Sequence, residues 1–121
     1  MNKRGDLDDL LIYKAYVDMM FYFYNLVHKY PRCENGVLVC DIKSNLNEGI
    51  KYIIYAQKCF DSRERISFLN KLDASLKTLK VYIRISYRKK YISSKNYGAS
   101  CRKITNVSNL MFGWMKACQK R

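Results

Sequence analysis

Proline occurs once in this sequence, at Pro31, and glycine only at Gly5, Gly36, Gly49, Gly98 and Gly113. So few breakers leave long uninterrupted stretches suited to helices. The glycines are isolated, which excludes a glycine-rich loop that cradles phosphate. Histidine occurs only at His28, and the five cysteines (Cys33, Cys40, Cys59, Cys101, Cys118) contain no C-x-x-C pair. Zinc needs close ligand pairs, so no metal is expected. An odd set of unpaired cysteines with no leader segment ahead of it predicts reduced thiols and a cytoplasmic location. The longest apolar run, Met19 to Tyr24, is far shorter than the ~20 residues that span a bilayer, so no membrane partner is expected.

Catalytic constellations are lacking as well. Asp6, Asp8 and Asp9 cluster near the start, where a solvated group favouring the positive end of a first helix is the simplest account. Asp41 and Glu48 share a helical face without a third group that would make a metal or proton-transfer site. The expectation is a protein that is not an enzyme, needs no cofactor and acts by binding.

Acidic residues are scarce where basic ones are dense. Residues 1–60 hold eight Lys plus Arg against seven Asp plus Glu; residues 61–121 hold fifteen against three, and no carboxylate side chain follows Asp73. The overall charge is +13 in 121 residues. An excess of that size in one short chain points to a polyanionic partner, most simply RNA or DNA, or else to an acidic protein surface.

Nearly half the residues are hydrophobic, 49%, enough to build a core. The length fits one domain over residues 1–121. Apolar residues recur at steps of three and four in four stretches. Leu10, Tyr13, Val17, Met20, Tyr24 and Val27 mark one face of a helix over about 8–30, stopped by Pro31. Val39, Ile42, Leu46, Gly49, Ile53 and Ala56 mark a second, over about 37–58, in which Gly49 signals a close approach. Asp61 and Glu64 form a D-x-x-E helix start, followed by a seam of Leu69, Leu72, Leu76, Leu79 and Ile83, for a third helix over about 62–91. After a serine able to cap at Ser93–Ser94, Tyr97, Cys101, Ile104, Ser108, Met111, Met115 and Cys118 mark a fourth, over about 95–118. Short connections make neighbours antiparallel, so the fold class is all-α, an up-down-up-down four-helix bundle. Met19 to Tyr24 are large and apolar around the whole helix, and Val81 and Ile85 lie off the third seam. Either tyrosines coat a basic surface or the bundle self-associates into a homo-oligomer, and the size of the surplus favours association.

Lys77, Lys80, Arg84 and Arg88 are spaced three, four and four. At 100° per residue they fall within an arc of roughly 80° and make a basic ridge about 16 Å long. A solvated face is the plain alternative. The ridge is preferred as a binding face on the expectation that acidic residues are missing from its three- and four-residue neighbours. Lys89, Lys90, Lys95, Arg102 and Lys103 would widen it. Tyr82, Tyr87, Tyr91 and Tyr97 are interleaved with these residues; packing is the first expectation for them and stacking on bases the second.

Leu76-Lys77, Leu79-Lys80, Ile83-Arg84, Tyr91-Ile92-Ser93 and the closing Leu110-Met111-Phe112-Gly113-Trp114-Met115-Lys116 resemble the Avd family, the accessory proteins of diversity-generating retroelements. The resemblance implies a pentameric barrel of bundles that binds RNA or DNA and associates with the element's reverse transcriptase during mutagenic copying. It implies basic contact positions at Lys77, Lys80 and Arg84, and a packing pair at Gly113 and Trp114. Ser44-Asn45-Leu46-Asn47-Glu48-Gly49 is similar instead to the S-N-I-x-E-G stretch of the 23S rRNA intervening-sequence proteins, a related group of four-helix bundles.

Overall fold

A computed structural model describes the backbone of residues 3–119 and the side chains of residues 9–119. The side chains of Asp6 and Asp8, and the terminal Lys120 and Arg121, lie outside those residues. The helices are α1 (Lys3–Leu26), α2 (Leu38–Lys58), α3 (Ser62–Arg88) and α4 (Ser94–Gln119), with 3-10 turns at Val27–Lys29 and Arg32–Glu34. Each helix packs on the next and α4 closes back on α1, giving the predicted up-down-up-down bundle. No helix among the described residues is long and apolar enough to cross a membrane.

Local chemistry sets the helix ends. The Asp61 carboxylate accepts from the Arg63 amide at 3.2 Å and starts α3. Ser93 Oγ accepts from the Asn96 amide at 3.1 Å and starts α4. The third helix stops three residues before the predicted end, at Arg88. There the Tyr91 amide donates to the Ser86 carbonyl and the Lys90 amide to the Tyr87 carbonyl, both at 2.9 Å. This pair of bonds is the Schellman closure, which needs one left-handed residue that is usually glycine. Here the residue is Lys90, at φ 65°.

The seams of α2 and α3 are buried as predicted. The α1 seam is one residue out of register: Ile12, Tyr16, Met19, Phe23 and Leu26 face the core, while Leu10 is 58% and Tyr13 40% exposed. Both stripes have helical spacing, so α1 is apolar on two sides and periodicity alone cannot choose between them. The choice is made by α2. Tyr16 Oη donates to the Leu46 carbonyl at 2.8 Å, and its ring lies on Gly49, where a Cβ would fall 1.9 Å from the hydroxyl. The close approach expected at Gly49 is therefore that of a tyrosine side chain. Burial, with a smaller contribution from Tyr24, holds the Tyr16 phenol well above its ordinary pKa.

The α4 seam is corrected in the same way. Ile104, Met111 and Cys118 are buried as expected, but their companions are Ser100, Val107 and Trp114; Tyr97, Cys101, Ser108 and Met115 are only half-buried. The buried face keeps the apolar three-and-four spacing from Ile104 through Val107, Met111 and Trp114 to Cys118, and only Ser100 in it is polar. Ser100 enters the core because its hydroxyl donates to the Asn96 carbonyl within its own helix, at 2.7 Å.

Candidate nucleic-acid interface

The up-down topology brings the α1–α2 connection and the α3–α4 turn to one end of the bundle. They are tied there by Tyr91 Oη, which donates to Glu34 Oε2 at 2.7 Å, and by the Tyr30 and Tyr91 rings, with centroids 5.3 Å apart. The hydrogen bond to Glu34, with some burial and the carboxylate charge, pushes the Tyr91 phenol up to about 12. Glu34, on the α1–α2 connection, is thus already engaged within the fold. Asp41, in the first turn of α2, lines the groove between α2 and α3.

The α3–α4 turn carries Arg88, Lys89, Lys90 and Lys95, all exposed. The left-handed backbone at Lys90 fixes the turn that presents them. The α1–α2 connection adds Lys29 and Arg32, also exposed. Neither stands out in the charge count, because both lie in the nearly neutral first half. The signal for them is topological: antiparallel neighbours put those two connections side by side.

The ridge runs down from this end. Lys77, Lys80, Arg84 and Arg88 are all exposed beside a buried seam. Ser75, on the other flank of α3, turns toward α2, where its Oγ donates to the Asn45 carbonyl at 3.3 Å. Tyr87 packs on Tyr97 of α4, rings stacked at 4.5 Å and 9°. Lys80 lies within about 20° of Tyr87 around the helix axis, so the ridge borders α4.

Two expectations about the ridge are corrected. Lys77 is not free of acidic neighbours, since its Nζ pairs with Asp73 Oδ2 at 3.0 Å, one helical turn back. The pair is exposed on the lysine side, 73% for the Lys77 side chain, so it is weak and leaves the ammonium in reach of other anions. Lys80, Arg84 and Arg88 form no ion pair among the described residues. Lys103 does not widen the ridge: it faces α1, with Nζ 4.9 Å from the Tyr22 ring centroid. Seven residues per two turns puts Lys95 and Arg102 on one outer side of α4, and both are exposed. Arg102 Nη1 lies 3.3 Å from where a Cβ on Gly98 would sit.

The tyrosines follow the packing expectation. Tyr87 and Tyr97 cover each other, Tyr91 covers Tyr30, and Tyr82 is half-buried. The basic end thus presents charge on a rigid aromatic support.

The model of the bAvd-like family matches residues 10–118 of this sequence. The chain belongs to the bAvd-like family. No curated protein matches it. Within the bAvd-like fold, Trp114 of the implied packing pair is buried, whereas a Cβ on Gly113 would meet nothing within 4 Å. The segment from Ser44 to Gly49, similar to the intervening-sequence proteins, has a packing explanation in this bAvd-like bundle. Asn45 receives Ser75, the Leu46 carbonyl receives Tyr16, Asn47 Oδ1 accepts from Tyr24 Oη at 3.1 Å, and Gly49 makes room for Tyr16. Four of its six residues, Asn45, Leu46, Asn47 and Gly49, seat α1 and α3 on α2.

Proposed function

We propose that this chain is a non-enzymatic accessory subunit of a diversity-generating retroelement. It binds RNA or DNA through its basic end and associates with the element's reverse transcriptase to support mutagenic copying. The observation that carries the binding is the convergence of Lys29, Arg32, Arg84, Arg88, Lys89, Lys90 and Lys95 at one end, where Glu34 is bonded to Tyr91. Such a field favours phosphates over any neutral ligand and gives affinity with little sequence choice.

The subunit acts as a homo-oligomer, a pentamer by family resemblance. Supporting this, the α1 stripe that is not in the core remains an apolar surface, with Phe21 68% exposed beside Leu10 and Tyr13. Surface of that kind is typically covered by another protein. Sedimentation should give a single species larger than the monomer, and Phe21→Lys should shift it toward the monomer with helicity kept.

The binding is tested by titrating labelled duplex DNA and RNA against salt. The log–log slope should steepen by about 0.9 per neutralised phosphate on duplex DNA, so a flat response counts against the reading. If an acidic protein is the true partner, nucleic acid will not bind even at low salt.

A further inference from the structure

A second concavity lies at the same end, between the start of α2 and the turn that follows α1. It is a cleft of about 540 Å³ whose walls include Val27, Tyr30, Val39, Arg32, Lys43, Asn35 and Ser44. That volume is in the range of small-molecule sites. Its chemistry is divided. Val27, Tyr30 and Val39, nearly all buried, form its floor, and His28 and Cys40 add to the walls. Arg32 and Lys43 supply cations, Asn35 and Ser44 supply neutral donors and acceptors, and no carboxylate lines the cleft. Lys43 Nζ lies 5.0 Å from the Tyr24 ring centroid.

Duplex DNA and RNA present phosphates but keep their bases stacked inside, so a duplex has no use for an apolar floor with amide and hydroxyl groups beside it. An unpaired nucleotide uses all three parts. Its base lies on the floor against the His28 ring, its edge bonds to Asn35 and Ser44, and its phosphate meets Arg32 and Lys43. We propose that this cleft takes one unpaired nucleotide of a single-stranded RNA or DNA, which makes the basic end selective for single strands over duplex. The inference rests on the nucleic-acid reading above and adds a specific receptor to a general field.

The test separates the two. Anisotropy of a labelled single-stranded 12-mer and of a duplex of equal length is followed at one salt concentration for the full chain and for Asn35→Ala/Ser44→Ala. That variant changes no charge, and both side chains sit at the surface, so it should fold; circular dichroism checks this. Single-strand affinity should fall about fivefold or more, the value of one or two lost hydrogen bonds, with duplex affinity and salt slope unchanged. Arg32→Glu/Lys43→Glu should weaken single strands more than duplex.

Protection offers an independent readout, because Cys40 is exposed and lines the cleft. In a Cys33→Ser background, the single strand should slow Cys40 alkylation and the duplex should not. Equal losses for both ligands, or no loss for either, overturn the nucleotide cleft while leaving the basic end intact. A free nucleoside monophosphate that competes as well as the 12-mer also overturns it, making the cleft a mononucleotide site. If the unsubstituted chain binds no nucleic acid, the functional reading fails and this inference fails with it.

Discussion

The two ends of the bundle handle arginine in opposite ways. At the α2–α3 end, Arg65 is turned inward: its Nε donates to the Ala56 carbonyl at 2.9 Å and its Nη2 to the Cys59 carbonyl. Its guanidinium also lies 5.9 Å from the Trp114 ring centroid. The cation there caps the last carbonyls of α2 and locks the turn. At the α3–α4 end the turn is closed by backbone bonds, the Ser93 cap and the Tyr91–Glu34 bond, with no basic side chain taking part, and Arg88, Lys89 and Lys90 are left in solvent. Arg65 uses its charge for the fold, whereas Arg88, Lys89 and Lys90 leave theirs in solvent. A basic count does not separate these uses; hydrogen-bond partners do.

The sharpest way to break the comparison is to reverse charge at the α3–α4 end. Arg84→Glu/Arg88→Glu should lower affinity for RNA or DNA on the order of a hundredfold at low salt, through lost phosphate contacts and new repulsion. Thermal stability should hold or rise slightly, because like-charge repulsion at that end is relieved. Gel shift or anisotropy reads the first effect and calorimetry the second. Retained affinity would mean that the ridge is only a solvated face.

Arg65→Ala should give the mirror image. Two charge-assisted bonds to backbone carbonyls are lost, at a cost of about 2–3 kcal/mol in urea unfolding, half-exposure having been allowed for. Affinity of the folded fraction should change less than about twofold. A variant that unfolds no more easily would show that the α2 end is held by packing and not by this side chain.

Lys90, at φ 65°, tests whether the α3–α4 end gives up stability for charge. A lysine in the left-handed region costs about 1 kcal/mol that glycine avoids, offset in part by glycine's larger entropy in the unfolded chain. Lys90→Gly should therefore stabilise by about 0.5–1 kcal/mol while weakening nucleic acid binding several-fold. Gains in both stability and affinity would leave the lysine without a purpose at that position.

Much of this was legible in the sequence, and the misses share a cause. The α2 and α3 seams follow from spacing because each is one sustained apolar row, while the apolar residues off it, such as Val81 and Ile85, are too few to make a competing row. The first helix offers two apolar stripes, and which one is core depends on a glycine and a carbonyl of α2 that no local pattern reveals. On α4, two rows of helical spacing share Ile104, Met111 and Cys118, so spacing alone does not choose Val107 and Trp114 over Ser108 and Met115; Ser100 joins the buried row by bonding within its own helix. Lys77, Lys80, Arg84 and Arg88 are visible as a ridge because all four lie on one helix. Lys29, Arg32 and the cleft beside them come from another part of the chain, and only the arrangement of the helices joins them to it. Lys103 fails for the same reason, since it follows Arg102 in sequence but faces a different neighbour.

The smallest effect concerns the pair that the spacing argument overlooked. Asp73 holds Lys77 at 3.0 Å, and Asp73 is the last carboxylate side chain of the sequence. An exposed pair one helical turn apart contributes about 0.3–0.5 kcal/mol to the helix, so Asp73→Asn should lower stability by no more than that. It also frees Lys77 and removes one negative charge from the edge of the ridge. If the ridge extends to Lys77, duplex DNA affinity should rise about two- to threefold and the salt slope should steepen by up to about 0.9. An unchanged slope would shorten the ridge to Lys80, Arg84 and Arg88 and concentrate the ligand at the α3–α4 end. The comparison between the two ends would then hold more strictly, because Lys77 would belong with Arg65 among the cations that serve the fold.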